Sequence, residues 1–440
     1  MLVLVLSAGP LFAQQRTHYL NTVSLPLPAK TVETDQKETP SAVGIAALPK
    51  RKMTLAEIGT CATHNHPGVQ QAQRQAEALR GAWIQAGLKP NPSLEYSVED
   101  MTQDSAGLQC VTFSQPITLK YKINARQSAI NREYQAALHD VKILSQKAVN
   151  DAKLAAYRVA FAYQKCLILE ELTRLSQEAQ QAGDELFRAR EIGRVDQLDI
   201  SIQTDRTHIA LRDGEIAYRT ACIALTVLLA LPTEELIEIA DQVETLPPEL
   251  DKSMLFAQVR AACPEAQQAH AEVEAAHARL KQQCAEAGID FGANARIAYN
   301  TETKQNEFSV GVAIPLRLFD RNQGNIKQAQ SELAAAYRNV ERLERFHALE
   351  FETHWGKYQT ARNRVIFYKE KILSKARESL DLALTAYRRG EYSSLELLDS
   401  QRTFSTVHIE YLDNLNMLME LHVMLQGNFL TGGLKKPGTE

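Results

Sequence analysis

The stretch FSVGVAIPLRLFDRNQGNIKQAQ, Phe308–Gln330, changes period in its middle. Up to Leu318 the apolar side chains fall on every second residue: Phe308, Val310, Val312, Ile314, Leu316 and Leu318. After Gly324 they recur at helical spacing. Alternation marks a strand with one apolar and one polar face, and the longer period marks a helix. Only Asp-Arg-Asn-Gln-Gly lies between them. Such a turn invites a phosphate-binding reading, yet the further glycines and the lysine that phosphate loops use are missing. It reads instead as a joint. Pro315 is tolerated where the sheet gives way, Asp320 or Asn322 caps the new helix, and Gly324 lets backbones crowd together.

Three more stretches alternate. In IDFGANARIAYN the apolar positions are Ile289, Phe291, Ala293, Ala295, Ile297 and Tyr299, while Asp290, Asn294 and Arg296 face the other way. LEYSV (Leu94–Val98) and VTFSQPITL (Val111–Leu119) do the same less strictly. Four strands of this kind match the ~9–11 residues of a tilted membrane-spanning strand. Alternation alone fits a half-buried soluble sheet equally well.

The helices separate the two. From about Asn124 to Arg190 the chain is free of proline and poor in glycine, enough for roughly 100 Å of helix. Tyr134, Val141, Ala148, Ala155, Ala162 and Leu169 form an apolar line at steps of seven. Leu397, Phe404, Tyr411, Leu418 and Leu425 form another. Heptad lines bind helices side by side as in coiled coils. A compact globule has no use for helices this long. Four strands cannot close a barrel, and open edges in lipid leave backbone groups unpaired at several kcal/mol each. The chain therefore needs copies of itself; three would supply twelve strands.

The chain also repeats itself. HPGVQQAQRQAEALRGA, from His66, is echoed by CPEAQQAHAEVEAAHAR, from Cys263, and Pro67 and Pro264 are 197 residues apart. AREIGRVDQLDI (Ala189–Ile200) is echoed by AYRRGEYSSLELL (Ala386–Leu398), where Gly193 and Gly390, and Leu198 and Leu395, are again 197 apart. One offset at two distant places argues for a duplicated unit of helix, two strands, very long helix, tight turn and helix. The boundaries follow: 53–231 for the first repeat, with strands near 92–119 and a turn near 193, then a linker over 232–252. The second repeat takes 253–430, with strands near 289–318 and a turn near 390. Residues 14–50 and 431–440 are expected to be disordered tails. Residues 1–13 read as a signal peptide with a small-residue exit at Ala13, although the positive n-region is missing.

Composition excludes more than it assigns. A net charge of −4 over 440 residues gives no basis for general nucleic-acid binding or polybasic lipid attachment. No apolar run after the leader reaches the ~18 residues of a spanning helix. Six cysteines without a CxxC pair read as small buried hydrophobes. His64-Asn65-His66 has no second pair of ligands beside it and reads as a helix end before Pro67. No catalytic constellation, cofactor motif or metal site is expected.

These features together resemble the outer-membrane efflux family, the TolC-like exit ducts of tripartite pumps, over roughly residues 53–430. The likeness is greatest to the branch serving heavy-metal cation exporters. IPLRLFDRNQGNI (Ile314–Ile326) matches that branch's strand-to-helix signature, and RRGEYSSLELLDSQR (Arg388–Arg402) matches the family's hairpin turn. SQPITLKYKINARQSA (Ser114–Ala129) is the first-repeat counterpart, with Gln115-Pro116 kept and the usual Gly-rich segment replaced by KYKIN. The first cysteine is Cys61, so the acylated cysteine that many relatives carry after the signal is not matched. The resemblance implies a mainly α fold with a β-barrel part. It implies a homotrimer with long coiled-coil helices, four membrane strands per protomer and two tandem repeats. It implies a passive, non-enzymatic duct through the outer-membrane lipid, with its tunnel in the periplasm. A periplasmic adaptor and an inner-membrane pump would open it.

The hairpin turns at Gly193, Leu198, Gly390 and Leu395 would then meet the adaptor. Glycine at both turns is expected in the left-handed conformation that ends a helix. Glu396 and Asp399, three apart on one helical face, match the acidic residues that ring the family's entrance. At the 197 spacing their first-repeat equivalents are Asp199 and Ile202, so one acid is kept. Two other readings are a periplasmic adaptor and a coiled-coil protein without a pore. An adaptor would show one helical hairpin flanked by lipoyl-like strands, and the alternating strands speak against the second.

Overall fold

The computed structural model describes residues 50–101, 107–232, 236–241 and 245–434. The expected signal peptide, all but the last residue of the expected tail 14–50, and residues 435–440 lie outside the described residues. In chain order the elements are β1 (Lys50–Met53), α1 (Leu55–Asn65), α2 (Pro67–Ala86), β2 (Ser93–Glu99), β3 (Leu108–Ile117), α3 (Lys120–Arg188) and α4 (Arg194–Leu228). They continue with β4 (Leu236–Ile239), α5 (Lys252–Ala262), α6 (Pro264–Glu286), β5 (Phe291–Asn300) and β6 (Gln305–Ala313). The last three helices are α7 (Gln323–Phe367), α8 (Leu373–Arg388) and α9 (Ser394–Gln426).

The 69 residues of α3 contain no proline and one glycine, Gly183. There a Cβ would stand 2.9 Å from Cδ1 of Ile200 and 3.1 Å from the Tyr387 hydroxyl, so Gly183 marks a close approach between helices. Along α3 alanine is the commonest buried residue, as at Ala148, Ala152, Ala155 and Ala156. Small side chains let α1, α2, α4, α6 and α9 lie close along this one helix. In α9 the heptad residues Leu397, Phe404, Leu418 and Leu425 are all buried.

Two apolar clusters fix the bundle. One joins α7 and α9 to α3 and α5 through Phe351, Trp355, Tyr358, Leu415, Leu418 and Phe161; Phe351 and Trp355 stack at 6.0 Å. The other lies near the hairpins and holds Ala179, Ile200, Leu380, Tyr387, Leu397 and Phe404. The second long helix is not continuous. A π-turn over Tyr368–Ile372 separates α7 from α8, and the Tyr368 hydroxyl donates to Glu410 Oε2 at 2.7 Å. Neither proline nor glycine marks this interruption, which is why the sequence suggests one helix.

Three expected boundaries move. β1 pairs in parallel with β4, Lys50 opposite Leu236 through Met53 opposite Ile239. Strand therefore replaces the end of the expected tail and part of the expected linker 232–252; four residues are too few for a period to show. At the other end, the amides of Gly432 and Gly433 donate to the two carboxylate oxygens of Asp151 at 3.0 and 2.7 Å. Asn150 Nδ2 donates to the carbonyls of Gly427 and Leu430, so 431–434 are packed on α3 and the expected tail does not begin at 431. Third, β6 ends at Ala313, although alternation runs on to Leu318. Its partner β5 is paired only as far as Gly292, opposite Ala313, and Pro315 has no N–H to give.

β2, β3, β5 and β6 form one antiparallel sheet in that order, with β2 and β6 at its edges. The two β-hairpins of the repeats thus meet through β3 and β5, from Leu108 opposite Asn300 to Ile117 opposite Phe291. Among the described residues no helix is long and apolar enough to cross a membrane.

Candidate functional site

Residues directly opposite in an antiparallel ladder share a face. One face of the four-stranded sheet carries the row Leu94, Phe113, Ala295, Val310 and the row Tyr96, Val111, Ile297, Phe308. The other face carries Glu95, Thr112, Arg296, Ser309 and, beside them, Ser97, Cys110, Ala298, Glu307. Among the described residues nothing covers the apolar face: Leu94 is 74% exposed, Phe308 75% and Val310 87%. Beyond β6, Leu316 and Phe319 are exposed as well, at 80% and 90%. On the polar face Arg296 Nη2 lies 2.7 Å from Glu99 Oε2. This is the reverse of a soluble sheet, whose apolar side is the covered one.

The seams between sheet and helices are tightly bonded. Lys122, fully buried in the first turn of α3, donates from Nζ to the Gly288 carbonyl at 2.7 Å and pairs with Asp290 at 2.8 Å. Arg126 grips Glu286 with two nitrogens, at 2.5 and 2.9 Å, and Arg317 donates to the Glu286 carbonyl. Pro116 lies in the part of β3 that has run past the last residue paired with β2, Ser114; there the missing N–H breaks no ladder with that strand. Gln115 donates to the carbonyls of Pro90 and Pro116.

The second seam works differently from the expectation. Asp320 Oδ1 accepts from the Asn322 amide at 2.8 Å, and Asn322 takes a left-handed conformation, φ +63°, as the residue before α7. Its side chain does not cap the helix. Asn322 Nδ2 donates to the carbonyl and side chain of Gln283 in α6, at 2.8 and 3.0 Å. Asn322 is therefore a tie between α6 and α7. Gly324 has open space around it, with nothing within 4 Å of an added Cβ. No backbone crowds it within the chain, which corrects the role expected for it.

The hairpin turns also differ from the expectation. α8 ends in a left-handed Gly390, φ +70°, with Glu391 N donating to Ala386 O and Gly390 N to Tyr387 O. At the first turn that place is taken by Arg190, φ +62°, with Glu191 N donating to Leu186 O. Gly193 is extended, φ −76°, and caps the start of α4. The structural counterpart of Gly193 is thus Ser393, which caps α9, and the offset between hairpins is 200 residues instead of 197. At this register Asp196 matches Glu396 and Asp199 matches Asp399, so both acids recur and Ile202 is not the counterpart of Asp399.

The four acids divide into two kinds. Asp196 Oδ2 accepts from Gly193 N at 3.2 Å; Glu396 Oε2 accepts from Ser393 N and Oγ at 2.8 and 2.9 Å. Those two bonds hold the Glu396 carboxyl below the usual glutamate range. Both acids are helix-capping groups. Asp199 and Asp399 are exposed, one turn further along. Leu198 is exposed as well. Leu395 falls in the first turn of α9, where its side chain is not among those described.

One stripe escaped the sequence analysis. Val195, Ile202, Ile209, Ile216 and Ile223 follow one another at steps of seven along α4, and all five are exposed. The same heptad spacing that buries α9 residues here leaves β-branched side chains exposed among the described residues. His66, the second histidine of His64-Asn65-His66, is buried and caps α2, its Nδ1 accepting from Gly68 N at 3.1 Å.

Comparison with known proteins bears on these features. Residues 255–422 match the family model described as outer membrane efflux protein. The cobalt-zinc-cadmium resistance protein CzcC of Cupriavidus metallidurans is 25% identical over 371 residues, covering 82% of this chain and 86% of its own. The fold is similar to the outer-membrane channel OprN, with TM-score 0.72 and 15% identity over 87% of this chain and 91% of that one. It is also similar to CusC, with TM-score 0.68 and 17% identity over 86% and 92%. The outer membrane protein VceC of Vibrio cholerae gives TM-score 0.68 and 15% identity over 86% and 96%.

Proposed function

We propose that the chain, whose residues 255–422 match the outer membrane efflux protein model, belongs to that family and that three copies form a passive exit duct for divalent heavy-metal cations. It is a non-enzymatic, outer-membrane efflux channel. The trimer, the cargo and the gate are our reading. The observation that carries it is the four-stranded sheet with an uncovered apolar face, a polar reverse and an unpaired strand at each edge. Lipid covers the apolar face, and the edges close when β6 of one copy meets β2 of the next, giving twelve strands with no open edge. The Val195–Ile223 stripe supports the same assembly, since a neighbouring copy is the partner that a bare heptad line requires.

The cargo rests on similarity to the cobalt-zinc-cadmium resistance protein. At the entrance, threefold symmetry gathers three copies each of Asp199 and Asp399, whose repulsion cations relieve. The hairpin turns, with Gly193, Leu198, Gly390 and Leu395, are where a periplasmic adaptor docks, and an inner-membrane pump drives export through it.

Purified protein is expected to run as a heat-modifiable trimer from the outer-membrane fraction and to form channels in planar bilayers. A soluble monomer without conductance would sink the proposal. The cargo is checked separately: deleting the gene is expected to raise sensitivity to zinc, cobalt or cadmium, and unchanged sensitivity would remove the metal assignment while leaving the channel.

A further inference from the structure

We infer that Cys263, Glu265 and His347 form a binding site for one zinc-type divalent cation, held within the helical part of the chain. Cys263 closes α5 and precedes α6, Glu265 lies in the first turn of α6, and His347 comes from α7. Cys263 Sγ stands 3.5 Å from His347 Nε2, which stands 3.4 Å from Glu265 Oε2. The three donor atoms all lie within 4.8 Å of one another. A tetrahedral ion with bonds of ~2.3 Å to sulfur, ~2.0–2.1 Å to nitrogen and ~2.0–2.2 Å to oxygen sets these separations at about 3.6 Å and about 3.4 Å. The two separations that meet at His347 Nε2 are thus those of ligands on one ion, and the third donor pair lies within 4.8 Å.

The chemistry agrees with the spacing. Thiolate, imidazole and carboxylate together suit Zn²⁺, Co²⁺ or Cd²⁺, whereas Mg²⁺ and Ca²⁺ take oxygen donors. Cys263 and His347 are buried, and among the described residues His347 Nδ1 has no hydrogen-bond partner. The ring is engaged through Nε2 alone, on the side where the cation would sit. Cys263 and His347 border a cavity of about 520 Å³, room for a water as fourth ligand. Burial pushes the Cys263 thiol up, against the amides of Ala266 and Glu265 that pull it down. A cation bound here would take the thiolate and displace the thiol proton to solvent.

The site is not a by-product of the duplicated fold. At the corresponding junction of the first repeat, His66 stands 197 residues before Cys263, and Gly68 stands in place of Glu265. Among the described residues no second cluster of three such donors occurs. A cation here would clip the α5–α6 junction to α7, whatever passes through the channel.

Titration of the purified full-length protein with Co²⁺ tests this. The expected result is one ion per chain, with four-coordinate visible bands and a thiolate charge-transfer band, displaced by Zn²⁺ and untouched by Mg²⁺. Cys263→Ser removes the charge-transfer band, and His347→Gln and Glu265→Gln each weaken binding more than about tenfold. Cys61→Ser and Cys284→Ser change nothing. A wild-type protein without the band, or a band that survives Cys263→Ser, overturns the site. If the buried substitutions fail to fold, the half-exposed Glu265→Gln still decides: unchanged affinity there removes the three-donor arrangement.

Discussion

At the scale of single residues, neighbouring acids of one helix have different work. Glu396 accepts two bonds from Ser393, so it anchors the start of α9, while Asp399 is exposed. A carboxyl whose folded pKa is depressed stabilises above its unfolded pKa and loses that contribution as pH falls through the folded value. Protection of the first α9 amides in hydrogen exchange is therefore expected to hold at neutral pH and to fade only below the ordinary glutamate range. Glu396→Gln should abolish that pH dependence; a dependence that survives would show that another group supplies it. Asp199→Asn with Asp399→Asn should leave α9 intact and weaken divalent block of single-channel current severalfold. Unchanged block would take both residues out of the entrance. The acid pair was legible in the sequence, but its division of labour was not, because it depends on which residue starts the helix.

At the scale of elements, two hairpins of one design end their long helices with different residues. Gly390 occupies the left-handed position with nothing near its missing Cβ, so Gly390→Ala costs backbone strain alone, about 1 kcal/mol. Arg190 already bears that strain at φ +62°, and Arg190→Gly is expected to stabilise by up to about 1 kcal/mol. Thermal melting of the detergent-solubilised protein should move in opposite directions for the two; a shift of the same sign would mean that the turns are set by outside contacts. The three-residue change in offset, from 197 at Pro67 and Pro264 to 200 at the hairpins, explains the misalignment. Two glycines matched in sequence, whereas the backbone matches Arg190 with Gly390. The π-turn at Tyr368–Ile372 and the β1–β4 ladder were equally hidden, one without a breaker residue and the other too short for a period.

At the scale of the whole molecule, two apolar surfaces stand exposed among the described residues. The sheet has an exposed apolar face and α4 an exposed line of β-branched residues, the two surfaces that lipid and neighbouring copies cover in the proposed trimer. Val310→Lys places a charge on the lipid side, costing about 2–4 kcal/mol near the bilayer midplane. It should abolish the trimer band in the outer-membrane fraction. Ser309→Lys, one residue away on the polar face, should keep the trimer and alter conductance. Equal effects would mean that the faces are not lipid and lumen. Ile209→Asp, midway along the α4 stripe, is expected to dissociate the trimer while leaving the helix content of each chain; a stable trimer would place that stripe against something else. The sequence by itself determined the four alternating strands, the long helical stretches, the repeated order of elements and the split of the sheet into an apolar and a polar face, because these are periodic properties of neighbouring residues. Only the tertiary structure decided the hairpin register, the tie from Asn322 to Gln283, and the meeting of Cys263, Glu265 and His347. Those depend on where residues far apart in the chain come to rest, and no local period records it.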